Sequence, residues 1–245
     1  MAQRTQYQGN NDVGVYAKLT NSYCLVPISP SDCFFNDFES ELSDTIPVIH
    51  TTINEIQSVG RISAGNRHGL LLPINTKDNE LMHIRNSLPD NVEVHRIEER
   101  LSALGNIILC NDHFALVNPA LDKNTIDLIS DVLQVTVFPM LIGDQGLCGS
   151  YAVLTNQGCM VHPGTSREQM KELACLLNLP VCSGTVNQGV ASVGGGLVAN
   201  DWIAFTGLRT TATEISIIDK IFKLDATKSA LPPSRLKDAI VEEMT

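Results

Sequence analysis

The chain has 245 residues, 43% of them hydrophobic, and sets 17 Lys and Arg against 27 Asp and Glu for a net charge of −10. That sign excludes a protein that holds nucleic acid mainly by neutralising phosphates. No apolar run reaches membrane-spanning length, and the opening MAQRTQYQGNND lacks the apolar stretch of a signal peptide, so a soluble intracellular protein is expected. The seven cysteines, without a C-x-x-C pair or a glycosylation sequon, read as reduced thiols that mostly fill core positions.

One phrase recurs. Asparagines stand at Asn21, Asn66, Asn111, Asn156 and Asn200, at intervals of 45, 45, 45 and 44. Upstream glycines travel with them at Gly14, Gly60, Gly105, Gly149 and Gly194, and downstream apolar runs end at Pro27, Pro73, Pro119, Pro163 and Gly207. Such a period marks a supersecondary unit that cannot bury its apolar face alone. The units, about 1–45, 46–90, 91–134, 135–178 and 179–224, form one domain, and 225–245 remain as a tail.

In the first unit RTQY, VGVYAKL and YCLVP read as short strands, and Phe34, Phe35, Phe38 and Leu42 lie at helical spacing after an N-cap at Ser31 or Asp32. The second unit gives IPVIHTT, VGRIS and GLLLP, then a helix from about Lys77 to Ser87 that Thr76 caps. VEVHRIEE, LGNIILC and FALVNP open the third, whose helix sets Ile126, Ile129, Val132 and Leu133 on one side. The fourth runs VTVFPML, GSYAVL and GCMVHP into a helix with a capping box of Thr165 and Glu168. In the fifth, LPVCSGTV, SVGGGLVA and WIAFTG precede a helix boxed by Thr211 and Glu214, with Ile215, Ile218 and Phe222 on one face. In the tail, Leu236, Ile240 and Met244 are spaced for a turn or two of helix, and a loosely attached terminus is the simpler reading.

Strand, strand, strand, helix repeats throughout. Largely apolar strands want cover on more than one side, which sets helices outside and strands inside. Neither end unit looks like the polar cap an open solenoid needs, so the ring should close on itself as a monomer without sheet edges to pair.

Catalytic patterns are missing. There is no H-E-x-x-H, G-x-S-x-G or Walker A sequence, the histidines are scattered singly, and no metal or cofactor is implied. The Gly194–Gly196 cluster reads as tight packing rather than a phosphate cradle. The repeated asparagines are read as left-handed hairpin residues. Residues following the marker glycines, Val15, Arg61, Asn106, Ser150 and Gly195, should share a rim or the axis. Arg61 and Asn106 are plausible partner contacts, with an Arg61 pair to Glu98 or Glu99 as the plainer alternative.

GRISAGNRHGLLLP, NSLPDNVEVHRIEERLSALGN and the five-unit frame resemble the family of eukaryotic translation initiation factor 6, ribosome anti-association factors. The resemblance covers residues 1 to about 224 and implies an α/β pentein fold, a five-bladed α-β propeller ring with pseudo-five-fold symmetry, helices outside and strands lining the centre. It also implies no catalysis. Such proteins bind the intersubunit face of the large ribosomal subunit beside the sarcin-ricin loop, mainly through ribosomal protein uL14, and exclude the small subunit. Their release needs an elongation-factor-like GTPase and the Shwachman-Bodian-Diamond protein. They act in large-subunit biogenesis and are found in cytoplasm, nucleus and nucleolus. Matched to this chain, the glycine-side loops carry the contact, at or near Gly14, Arg61, Asn106, Tyr151 and Gly195. Other penteins are guanidine-modifying enzymes with a cysteine nucleophile and a His-x-Asp element, and this chain has no His-x-Asp.

Overall fold

The computed structural model describes residues 2–224, so the tail helix expected from Leu236, Ile240 and Met244 lies outside the described residues. Each repeat runs outer strand, one-turn helix, inner strand, middle strand, long helix. The first is β1 (Ala2–Thr5), α1 (Val13–Tyr16), β2 (Lys18–Leu19), β3 (Cys24–Pro27) and α2 (Cys33–Leu42). The second is β4 (Val48–Thr51), α3 (Val59–Ile62), β5 (Ala64–Gly65), β6 (Gly69–Pro73) and α4 (Asp78–Ser87). The third is β7 (Glu93–Ile97), α5 (Leu104–Ile107), β8 (Ile108–Cys110), β9 (Phe114–Val117) and α6 (Lys123–Leu133). Then follow β10 (Thr136–Pro139), α7 (Cys148–Tyr151), β11 (Ala152–Leu154), β12 (Cys159–Val161) and α8 (Arg167–Leu177). The last is β13 (Val181–Ser183), α9 (Val193–Gly196), β14 (Leu197–Ala199), β15 (Ala204–Gly207) and α10 (Ala212–Ile221).

The strand-strand-strand reading therefore needs correction at its middle member. VGVY, VGRI, LGNI, CGSY and VGGG are single helical turns that feed a shorter inner strand. Four residues are too few for a periodicity of 3.6 to show against one of 2.

Strand pairing crosses the repeat boundaries. Within each three-stranded sheet the inner strand is antiparallel to the middle one, and the middle strand is parallel to the outer strand of the next repeat, as in β2-β3-β4. Four of the five parallel pairs, β3–β4, β6–β7, β9–β10 and β12–β13, are bridged by a long helix, because a parallel connection must travel the length of the sheet before it returns. The last blade is closed by the first strand: β1 lies parallel to β15 with Ala2 opposite Ala204 and Thr5 opposite Gly207. The result is a five-bladed pentein ring.

Apolar spacing on the long helices does what the sequence indicates. Phe34, Phe38 and Leu42 of α2 are buried, as are Ile129, Val132 and Leu133 of α6 and Ile218 of α10, while Phe35, Ile126 and Ile215 are half-buried beside them. Cores form between neighbouring repeats. One cluster joins Phe38 of the first repeat to Phe205 of the fifth, their rings stacked 4.0 Å apart.

Helix starts match the sequence in part. Thr211 and Glu214 form the expected box on α10. On α8 the box sits one residue later, in Ser166 and Gln169 rather than Thr165 and Glu168. Thr76 does not cap α4; its hydroxyl donates to the Pro73 carbonyl at 2.7 Å, and Glu80 takes the backbone N–H of Lys77. Asp32 precedes α2 without a side-chain cap bond.

Candidate partner-binding rim

The marker glycines build one mouth of the ring. A Cβ on Gly14 would stand 2.1 Å from the Gly194 carbonyl oxygen, one on Gly194 2.1 Å from that of Gly149, and one on Gly149 2.1 Å from that of Gly105. Gly105 stands likewise 2.2 Å from Gly60 and Gly60 2.5 Å from Gly14. The five one-turn helices thus touch in a closed collar that admits no side chain at its glycines.

Arg61 reaches across this collar. Its Nη1 donates to the Gly149 carbonyl at 3.0 Å and to Ser150 Oγ at 3.3 Å, and Ser150 Oγ donates in turn to Asn106 Oδ1 at 3.1 Å. Burial lowers the Arg61 pKa to about 10, although the charge of Asp12 works to raise it. The pairing of Arg61 with Glu98 or Glu99 is not formed; Glu99 instead accepts from Thr125 and the Arg100 N–H. Of the rim residues marked from sequence, Arg61, Asn106 and Tyr151 are half-buried, and Gly14 and Gly195 are buried. Tyr151 packs edge-on against His162, with centroids 5.0 Å apart. A Cβ on Gly195 would sit 3.2 Å from Arg61 Nη2, which ties that glycine to the same network.

The opposite mouth holds the repeated asparagines, and they are not left-handed: none has positive φ. Their side chains do the turning. Asn66 Oδ1 accepts the N–H groups of His68 and Gly69, Asn111 Oδ1 those of His113 and Phe114, and Asn200 Oδ1 those of Trp202 and Ile203. In the other two repeats Thr20 and Thr155 do this with their hydroxyls. Asn21 and Asn156 therefore occupy the next position, alongside Arg67, Asp112 and Asp201.

That next position closes the axis. Asn21 Nδ2 donates to Asp112 Oδ2 at 2.7 Å and Asp201 Oδ2 at 2.8 Å, and Asn156 Nδ2 donates to the same two oxygens at 2.7 Å each. Amide and carboxylate alternate around a square, and the remaining Oδ1 atoms take backbone N–H groups of neighbouring repeats. Arg67, the fifth member, is turned outward and half-exposed, 3.9 Å from Asp112. Between square and glycine collar lies an axial cavity of about 90 Å³, smaller than typical small-molecule pockets. Among the described residues no group of His, Cys, Asp and Glu could hold a metal, and no helix is long and apolar enough to cross a membrane.

Sequence reasoning missed the apolar decoration of the glycine mouth. Middle and outer strands run parallel, so both end at this rim. Ile28, Ile74 and Leu208 directly follow middle strands, and Ile56, Leu141 and Val190 lie in the loops behind outer strands, all exposed. Leu147, just ahead of α7, joins them. The outer-strand tips are tight turns with left-handed Asn54 and Glu55, Gly143 and Asp144, or Asn187, Gln188 and Gly189. Carboxylates from the long helices hold two of them. Glu80 accepts from the N–H groups of Asn54 and Glu55 and the Thr52 hydroxyl; Glu214 accepts from Gln188, Gly189 and Thr185. Burial works to raise the Glu214 pKa, but its hydrogen bonds, from Thr211 first, prevail and hold it at about 2.

Cysteines are spread over the ring. Cys24, Cys110, Cys148 and Cys159 are buried, while Cys33 and Cys175 are exposed. Burial pushes the thiols of Cys148 and Cys159 up to about 11 and about 12.

With this geometry stands a match across nearly the whole chain: the sequence pattern of the eIF-6 family fits residues 2–221. The chain belongs to the eIF-6 family. Eukaryotic translation initiation factor 6 of Drosophila melanogaster is 53% identical to it over all of both chains, and that of Saccharomyces cerevisiae 52% over 99% of both. Its place is thus among translation initiation factors. ArgZ, a cyanobacterial arginine dihydrolase, superposes with a TM-score of 0.50 at 15% identity over 77% of this chain and 33% of that one. That likeness is one of fold.

Proposed function

We propose that this eIF-6 family chain binds the large ribosomal subunit through its glycine-collar rim and keeps the small subunit from joining by occupying the intersubunit face. The observation that carries this reading is the lopsided distribution of exposed apolar side chains: of the nine large ones exposed among the described residues, only Met82 and Ile217 lie away from that rim. A one-sided apolar decoration marks a protein-binding face. Arg61, Asn106 and Tyr151 give it polar contacts, and Gly14 and Gly195 contribute shape rather than side chains. The acidic balance suits a basic partner such as ribosomal protein uL14 next to the sarcin-ricin loop. Release by an elongation-factor-like GTPase with the Shwachman-Bodian-Diamond protein, a role in subunit biogenesis, and residence in cytoplasm, nucleus and nucleolus complete the proposal, on the strength of the family resemblance.

The role is not catalytic. A pentein enzyme of the guanidine class needs a reactive thiol, whereas burial raises the pKa of axial Cys110 here, and one mouth is closed by the amide–carboxylate square. Sedimenting the protein with large subunits, small subunits and both at joining magnesium tests the reading. Co-migration with large subunits and fewer joined ribosomes is expected; failure to bind the large subunit overturns it. Citrulline or ornithine release from arginine would restore the enzyme.

A further inference from the structure

On the rim between the third and fourth blades lies a groove of about 340 Å³. Its walls are Pro119, Pro139, Met140 and Leu141 from the ends of β9 and β10, with buried Leu173 of α8 below. Asp144 and Glu172 stand at its edge, and no basic side chain lines it. Glu172 and Leu173 lie one turn beyond Gln169 on the same helix, so they share a face. Gln169 Nε2 donates to Asp144 Oδ1 at 3.3 Å, which leaves Asp144 Oδ2 and the Glu172 carboxylate without a hydrogen-bond or ion-pair partner among the described residues.

We infer that this groove takes an arginine side chain from a basic protein segment of the partner. Resting on the large-subunit reading above, the inference names the chemistry of one contact. Arginine lays an apolar stem along hydrophobic surface while its planar guanidinium seeks carboxylates, and the groove offers a Pro, Met and Leu floor beside two acidic groups. A phosphate backbone is the wrong occupant, since both edge groups would repel it. Leu141 belongs both to the groove and to the exposed apolar set, so the arginine would enter at the border of the proposed contact face.

The test is affinity for purified large subunits across a potassium chloride series, for wild type, D144N/E172Q and D144K/E172K. Both residues are exposed, and circular dichroism and melting temperature check that the ring is intact. Charge reversal is expected to weaken binding at least tenfold, neutralisation less, and both to flatten the salt dependence. Unchanged affinity overturns the inference, and so does tighter binding of the reversed variant, which would put ribosomal RNA over the groove. Deleting 225–245 covers the chain's own basic tail residues: should reversal lose its effect in that background, the tail is the occupant and the inference falls. If wild type itself binds no large subunits, the function reading fails instead.

Discussion

Gly14 and Gly194 meet where the first and last repeats close the ring, with a Cβ on Gly14 placed 2.1 Å from the Gly194 carbonyl oxygen and 3.0 Å from that of Leu197. Both obstacles are backbone, so neither can swing aside. Gly14→Ala should therefore cost about 3 kcal/mol or more in urea unfolding, at the upper end of what overpacked sites lose. Gly195→Ala, which meets only the Ser192 hydroxyl at 3.0 Å and the tip of Arg61 at 3.2 Å, should cost well under half as much. Equal losses would show that the collar does not close as tightly as the contacts require.

Arg61 spans the collar and cannot be copied by lysine. Two bonds leave one guanidinium nitrogen for a carbonyl and a hydroxyl on the far side, and a second nitrogen lies against Gly195. Arg61→Ala should lose about 1–3 kcal/mol of stability and weaken large-subunit binding; Arg61→Lys should recover less than half of either. Asn106→Ser removes the acceptor of the Ser150 hydroxyl but leaves both Arg61 bonds, so it should weaken binding with a smaller change in melting temperature. Binding curves alongside thermal melts separate these effects.

What could be read from sequence follows from what the fold tolerates. Gly14, Gly60, Gly105, Gly149 and Gly194 were legible because closure leaves no room for a substitute. The asparagine frame was legible only in part, since the hydroxyls of Thr20 and Thr155 can replace the Asn66, Asn111 and Asn200 carbonyls as turn acceptors. A search for one residue type then slid one position in those two repeats, to Asn21 and Asn156. The proline marker slid independently, in the third and fourth repeats, where Pro119 and Pro163 each lie beyond the end of their strand. The exposed Ile28, Ile56 and Val190 could not be found by pattern, because an exposed and a buried apolar residue read alike until the strand ends are assigned to one rim.

Acid should loosen the rim turns first. Glu214 is held at about 2 in the folded protein against an ordinary 4.5, and the Glu80 pKa is lowered as well. For both, burial works the other way and donated hydrogen bonds prevail, Thr211 leading at Glu214 and Glu55 at Glu80. A depressed carboxylate adds stability that is complete above its unfolded pKa and is lost as pH falls through the folded one. For Glu214 that window runs from 4.5 down to about 2. Glu214→Gln should therefore be less stable than wild type at pH 7 by about 1–3 kcal/mol, and the gap should shrink as pH falls from 5 to 3. A gap that stays constant over this range would show that the carboxylate charge is not what holds Gln188 and Gly189.

The amide–carboxylate square makes a prediction about pattern rather than residue. Each of its Oδ2 atoms accepts two hydrogens and each Nδ2 donates two, so no member can change type alone. Asp201→Asn sets an amide against the amides of Asn21 and Asn156, leaving donors that face donors at a half-buried site. The cost should be about 1–3 kcal/mol per unmatched group, read from urea unfolding. Exchanging all four, with Asn21→Asp, Asp112→Asn, Asn156→Asp and Asp201→Asn together, restores the alternation, and each residue keeps an Oδ1 for its backbone N–H. The fourfold variant should thus be more stable than the Asp201→Asn single, although it moves one carboxylate away from Arg67. If the fourfold exchange is the less stable of the two, charge placement around Arg67 governs this mouth, and the square is a by-product of it.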